Sequence, residues 1–390
     1  MGKVLKIRRF KNIVAIILAG AFALSSAGFD AEACTSALAL AKATKNGRPM
    51  LWKNRDTGTE HNFVARVPAK DGNFEYVALY NGGDSLLLEA WAGFNAEGFA
   101  IMNTASYNLA PDTAKYKDRE AEVMTAALKK CRTVGDFEKL LKEYKKPMGV
   151  QANFGVIDAF GNGAYFETDD YGYIKFDAAD VSDGVLIRTN FSESGNAEGG
   201  YGYIRCDNAR HLLGEDIKNH SLTPASFTEG ASRSFYHSLL GKDFTNSEDA
   251  WIIDQDFIPR KSTSATVVLE GVKPGEDPSN TMMWIAIGYP PVSYVLPVFI
   301  DDVPEELQPL EPGFRSKLCN ETLERKHRAF PITNGSGPHY IDMNYLREVN
   351  ENMHAFSLEN YKKGELKRAM RLGLQKAKEK RPAKAKPAKK

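Results

Sequence analysis

Four cysteines in 390 residues are too few for a disulfide scaffold, and none stands at a zinc-ligand spacing from another cysteine or a histidine. The seven histidines form no metal-ligand pattern, and the chain has neither a Gly-x-Ser-x-Gly elbow nor a glycine loop of the phosphate-cradling kind. No metal and no cofactor is expected. Internal repeats are lacking, and after the first thirty residues no segment approaches 18 consecutive apolar residues, so no membrane span is expected there. What is present is a balance of 43% hydrophobic, 11% aromatic and 26% charged residues, which buries a sizeable core and excludes a collagen-like or low-complexity chain.

The formal net charge of +1 hides an uneven distribution. Residues 361–390 hold 13 Lys/Arg against Glu365 and Glu379, and residues 1–33 hold five against Asp30 and Glu32, which leaves the span between them at −13. An acidic body excludes nucleic acid as the main partner, because phosphate binding needs a basic face on the folded domain. A terminal block of like charge is most often a solvated end; the sharper reading is an anionic lipid, polysaccharide or nucleic acid.

The N-terminus has the layout of an export signal. A basic region (Lys3, Lys6, Arg8, Arg9, Lys11) precedes an apolar run from Ile13 to Leu24 and small residues ending in Ala31-Glu32-Ala33. The expectation is an exported protein, periplasmic or secreted, with residues 1–33 removed, the mature chain starting at Cys34 and no stable membrane insertion afterwards. Three cysteines then remain besides Cys34, enough for one disulfide at most.

Downstream, short apolar runs are punctuated by turn signals such as Asn46-Gly47, Asn81-Gly82-Gly83 and Phe160-Gly161-Asn162-Gly163. Strands are expected at 37–43, 49–52, 75–80, 86–94, 98–103, 152–158, 163–168, 172–176, 184–189, 264–269, 281–287 and 293–299. Two helices are expected within 119–145, where apolar residues return at helical intervals, and two more near 205–213 and 225–240. This alternation of sheet and helix in one region predicts an α+β domain over 34–302. Pro304 to Pro312 reads as a linker, 303–379 as a helical extension, and 380–390 as a disordered basic tail.

Cysteine at the first position of a mature chain places a thiol and a free α-amine on one residue. The amine has an ordinary pKa of about 7.7 to 8, so near neutrality it can accept the thiol proton and later return it to a leaving group. Nucleophile and base then reside in Cys34. A reading from another class makes Cys34 the attachment point of a lipid-anchored, non-catalytic binding protein, but Ala31-Glu32-Ala33 lacks the aliphatic residue of a lipidation box. A third leaves Cys34 an ordinary buried thiol.

Cys34-Thr35-Ser36-Ala37-Leu38-Ala39-Leu40, followed by Asn46-Gly47 and Trp52-Lys53-Asn54-Arg55-Asp56, resembles the opening of the choloylglycine hydrolase family and its penicillin acyltransferase-like relatives. Gly93-Phe94-Asn95-Ala96-Glu97-Gly98, Thr189-Asn190 and Phe227-Thr228-Glu229-Gly230-Ala231-Ser232-Arg233 are similar to later segments of that family, in the same order. The resemblance implies the four-layer αββα sandwich of N-terminal nucleophile hydrolases and hydrolysis of a non-peptide C–N amide in a small-molecule substrate. It implies Cys34 as nucleophile and base, Asp56 as the carboxylate holding the amino terminus, Asn103 and Asn190 as oxyanion donors, and Arg233 as a cation orienting the nucleophile's surroundings. The family's first motif arginine is here Lys53. Either Lys53 replaces it or Arg55 reaches in from the other face of the strand, and Arg205 is an alternative to Arg233. An acyltransferase or dipeptidase-like relative would use the same cysteine, and a homo-oligomer is compatible with the sequence.

Overall fold

The computed structural model describes residues 34–83, 89–110, 115, 117–333 and 339–379. The expected signal segment 1–33, part of the strand expected at 86–94 and the basic tail 380–390 lie wholly or largely outside these residues.

Along the chain, β1 (Thr35–Ala39) and β2 (Met50–Asp56) form a first antiparallel pair. They are followed by β3 (Asn62–Val67), β4 (Tyr76–Asn81), β5 (Ala92–Asn95) and β6 (Ala100–Ala105). Two helices intervene, α1 (Glu120–Lys130) and α2 (Val134–Glu143), before β7 (Ala152–Ile157), β8 (Gly163–Thr168), β9 (Tyr173–Asp177) and β10 (Val185–Arg188). After α3 (Tyr203–Lys218) come the short ladder strands β11 (Tyr236–His237), β12 (Lys242–Asp243) and β13 (Trp251–Ile253), then β14 (Thr263–Glu270), β15 (Met282–Ile287) and β16 (Leu296–Phe299). The helix α4 (Lys317–Ala329), β17 (Tyr340–Asp342) and the long α5 (Met343–Glu379) complete the described chain.

These strands make two principal antiparallel sheets. One is six-stranded in the order β10-β1-β2-β14-β15-β16, and the other is a seven-stranded meander of β3 to β9. Side chains alternate along each strand, so each sheet has two apolar faces to cover. Leu38, Leu51, Val267 and Ile285 of the first sheet meet Val64, Val77, Phe94 and Met102 of the second in a layer between the sheets. The outer face of the meander (Phe63, Tyr80, Phe154, Phe166) is covered by Val123, Leu128, Phe137 and Leu141 of α1 and α2. The outer face of the six-stranded sheet (Ala37, Trp52, Val268, Trp284) is covered by Cys206, Ala209 and Leu213 of α3, with Tyr361 of α5 against it. The result is a four-layer αββα sandwich.

Several elements differ from the sequence expectation. The first strand ends at Ala39 because Ala41–Ala43 turn into a 3-10 helix, so Asn46-Gly47 lies within a longer loop than a two-residue hairpin. Residues 225–240 form short turns of π and 3-10 type around Gly230, not one helix. Residues 303–379 do not extend away from the sandwich: Arg368 of α5 reaches Glu270 on β14 in a buried ion pair, and Asn360 donates to the Val295 carbonyl (2.9 Å). Among the described residues no helix is long and apolar enough to cross a membrane, and all four cysteines are free thiols.

Candidate active site

Cys34 precedes β1 and is buried. Register sets its surroundings, since Ser36 pairs with Lys53 and Ala37 with Trp52. Cys34 shares strand parity with Ser36 and Leu38, the side facing the second sheet, where Ser36 Oγ meets the Tyr165 hydroxyl at 2.9 Å. The Cys34 thiol lies 3.7 Å from the Asp56 carbonyl oxygen, its weak acceptor across the strand pair.

The Cys34 carbonyl is tied down by Arg205 in the first turn of α3. Arg205 Nη1 donates to the Cys34 carbonyl (2.7 Å) and to Thr35 Oγ1 (3.0 Å), and Nη2 donates to Asn190 Oδ1 (2.8 Å). The planar fork thus joins the nucleophile candidate to the loop after β10. Burial pulls the Arg205 pKa down to about 10; nearby Arg260 adds to the fall, while Asp56 and Cys34 oppose it. The helix can begin there because Gly202 takes a φ of +86°, and a Cβ at that position would lie 2.3 Å from Arg205 Nη2.

Asp56 is buried on the opposite side of β2. Its Oδ1 accepts from Thr263 Oγ1 (2.6 Å) and Asn54 Nδ2 (3.2 Å), and its Oδ2 from Arg260 Nε (2.8 Å). A β-bulge at Ser264, where the ladder steps from Thr263 to Ala265, sets Thr263 directly opposite Asp56. Burial works against the Arg260 charge, but the adjoining Asp56 carboxylate raises that pKa above its ordinary value. Asp254 stands in the same electrostatic neighbourhood: burial pushes its pKa up to about 6, against the Lys261 backbone N–H and Arg260. Asp254 Oδ1 and the Tyr289 hydroxyl are both buried without a hydrogen-bond partner among the described residues.

The remaining expected residues divide into two groups. Lys53 bridges the sheets, donating from Nζ to Asn103 Oδ1 on β6 (2.7 Å) and to the Trp91 carbonyl (3.1 Å). That contact orients the Asn103 amide, turning its Nδ2 away from Lys53. Asn190 sits between Arg205 and the second sheet, with Nδ2 donating to the Ala105 carbonyl (2.9 Å). Arg55 does not come from the other face, since residues two apart share one. It faces the meander with Lys53, donating to Asn62 and Asn81 Oδ1 (both 2.7 Å) with Trp91 stacked 5.0 Å away.

Arg233 belongs to a different neighbourhood. Its guanidinium pairs with Glu229 (3.0 Å) and donates to the Ser293 carbonyl and Asn350 Oδ1 (both 2.7 Å), so it joins the 226–233 turns to the loop after β15 and to α5. Arg205 and Arg260 supply the cations beside Cys34 and Asp56 instead. Arg260 carries no sequence signal of its own; only the β2–β14 register brings it to Asp56. The other three thiols are core residues: burial pushes Cys131 up to about 12 and Cys206 and Cys319 up to about 11.

Beyond Asn190 lies a cleft of about 820 Å³ lined by Tyr107, Asn108, Tyr171, Tyr173 and Asn196 among others. Tyr107 N–H donates to the Asn190 carbonyl at 3.3 Å, which connects the cleft to the Arg205 bracket. Among the described residues no group of three His, Cys, Asp or Glu side chains is gathered as metal ligands would be.

No family model matches the chain, and no curated protein sequence does. Solved structures with similar folds include an N-acylethanolamine-hydrolyzing acid amidase ortholog from Caenorhabditis elegans, with 15% identity, 60% of this chain and 92% of that one covered, and a TM-score of 0.42. A variant of the conjugated bile acid hydrolase from Clostridium perfringens has 13% identity, coverages of 69% and 93%, and a TM-score of 0.41. Penicillin V acylase from Agrobacterium tumefaciens has 12% identity, coverages of 69% and 87%, and a TM-score of 0.37.

Proposed function

We propose that the chain is an exported cysteine amidohydrolase of the N-terminal nucleophile kind, akin to the choloylglycine hydrolases, that cleaves a linear C–N amide in a small molecule through a thioester on Cys34. The observation that carries this reading is the treatment of Cys34. Its carbonyl is gripped by a buried arginine, whereas Cys131 and Cys206 are packed as hydrophobes and the Cys319 thiol is tied to the backbone of Glu60 and Asn62 (both 3.4 Å).

Removal of residues 1–33 frees the Cys34 α-amine. That amine takes the thiol proton as sulfur attacks the substrate carbonyl carbon, and the carbonyl π electrons move onto oxygen. The Asn103 amide, oriented by Lys53, is the side-chain donor for the resulting oxyanion; loss of one such donor typically costs about 10² to 10³ in rate. The C–N bond breaks as the ammonium proton passes to the leaving amine, giving the thioester. Water, deprotonated by the same α-amine, attacks the thioester, and the acid departs with thiol and amine restored. Asp56 and Arg260 act from the outer side of β2 as a fixed pair that sets the local field.

The test is the mass of the exported protein before and after brief exposure to acyl-amide substrates. The expected result is an N-terminus at Cys34 and an added acyl mass on the first peptide, released by hydroxylamine. A lipid on Cys34, or a chain that starts elsewhere, refutes the reading.

A further inference from the structure

We propose that the outward face of α5 is a docking surface for an anionic phospholipid bilayer. The surface is independent of the Cys34 chemistry. Leu358, Leu366, Met370 and Leu374 are spaced by multiples of four, so they lie along one ridge of the helix, and they are 44%, 59%, 59% and 64% exposed. Large aliphatic side chains so aligned and so exposed form a patch that soluble monomers seldom present to water.

The ridge cannot turn inward, because the opposite side of α5 is fixed at several points. Arg368 is paired with Glu270 in the core, Ser357 Oγ accepts the Val295 N–H (3.0 Å), and Asn360 donates to the Val295 carbonyl (2.9 Å). Gly364 lies so close to Trp284 that a Cβ there would come within 2.5 Å of the indole ring.

Charge selects the occupant. Lys362 and Lys363 are exposed on the same side as the ridge, beside Glu359 and Glu365, and residues 376–390 add eight Lys/Arg against the single Glu379. The flank is balanced, two Lys against two Glu, but the chain that follows it is strongly cationic, and an apolar ridge leading into such a run matches an anionic interface, where apolar burial and attraction to lipid headgroups add. A second copy of the chain would bring the same cations together. A polysaccharide or nucleic acid would satisfy the cations and leave the aliphatic ridge in water.

The test is co-sedimentation with vesicles of phosphatidylcholine alone or of an equimolar phosphatidylcholine–phosphatidylglycerol mixture. The parent is compared with a Leu366→Ser, Met370→Ser, Leu374→Ser variant in the same chain background, so that any contribution of the apolar run Ile13–Leu24 cancels. The triple variant should lower partitioning onto the mixed vesicles at least about tenfold, with its urea midpoint unchanged and little difference on neutral vesicles. Lys362→Glu with Lys363→Glu should weaken the same binding and make what remains less sensitive to added salt. The proposal is overturned if the triple variant binds mixed vesicles like the parent, if the difference is as large on neutral vesicles, or if the triple substitution abolishes a lipid-free dimer seen by sedimentation.

Discussion

Two buried charge clusters stand about 20 Å apart at opposite ends of β2, and they are built differently. At the Met50 end, Glu270 accepts from Asn46 Nδ2, Trp284 Nε1 and both terminal nitrogens of Arg368, so its carboxylate is fully partnered. Burial alone would raise the Glu270 pKa, yet Arg368 and these donors hold it below the ordinary carboxylate value. At the Asp56 end, Asp56 is also well partnered, but the neighbouring Asp254 leaves one oxygen bare and rises to about 6. The closed cluster joins α5 to the sheet. The open one adjoins the only thiol whose backbone is held by an arginine among the described residues; the closed cluster also leaves one buried atom unmatched, Arg368 Nε, but there the carboxylate is satisfied, and it is an unmatched, raised carboxylate that suits chemistry.

The sharpest way to break this comparison is to remove the thiol. Cys34→Ala should lower amidase kcat/KM at least about a thousandfold, with the urea midpoint little changed. Cys206→Ala should do the reverse, lowering stability by about 1 to 2 kcal/mol through a small core cavity while each folded molecule keeps its activity. Equal activity losses in the two variants would erase the distinction between site thiol and core thiol.

The next effect belongs to the closed cluster. Arg368→Met strands Glu270 as a buried, unmatched carboxylate, so it should cost about 3 to 5 kcal/mol in unfolding free energy. Activity per folded molecule should be retained, because the loss is to the attachment of α5 and not to Cys34. A Glu270→Gln, Arg368→Met double variant should recover much of that loss, since the double change removes the charge that was stranded.

For the open cluster the measurement is pH dependence. Asp254 is raised from about 3.8 unfolded to about 6 folded, so between these values the folded state binds more protons than the unfolded state. Stability therefore falls as pH rises through that window, by up to about 3 kcal/mol from this group. Arg260, Asp56 and Lys326 are the charges that face it. Asp254→Asn should flatten the fall, so parent and variant stabilities coincide below pH of about 4, diverge through the window and stay a constant distance apart above pH of about 6. Parallel stability curves across the window would show that Asp254 is ionised throughout.

How far the sequence foretold all this depends on the range of the signal. Short apolar runs between turn signals mark most strands of both sheets, and helical periodicity marks α1 and α2, because each is a local pattern. The helix Lys317–Ala329 falls within the span expected to be a helical extension, whereas the strand Asn62–Val67 carries no expectation of its own because it follows a turn-rich stretch. At the site, Cys34 and Asp56 come together because both sit near the ends of paired strands, so a local motif was enough. Arg260 reaches Asp56 only through the β2–β14 register and the bulge at Ser264, which no local pattern encodes. Arg233 carried the better motif match yet serves α5, whereas Arg205 owes its place to the orientation of α3. Arginine is informative in such a chain only once its partners are known.

That orientation yields the smallest and most discriminating prediction. Gly202 precedes α3 in the left-handed region, and an added methyl would press on the Arg205 guanidinium. Gly202→Ala should therefore cost about 1 to 2 kcal/mol from backbone strain, and it should also move the fork away from the Cys34 carbonyl and Asn190. The first effect is general, but the second is specific to the open cluster: kcat should fall more than stability explains, while Gly373→Ala, an exposed helical glycine with open space around its Cβ position, should leave kcat unchanged and raise helix stability slightly. If Gly202→Ala lowers only the unfolding free energy and leaves kcat of the folded molecules intact, then Arg205 is a structural clasp like Arg368, and the difference between the two ends of β2 disappears.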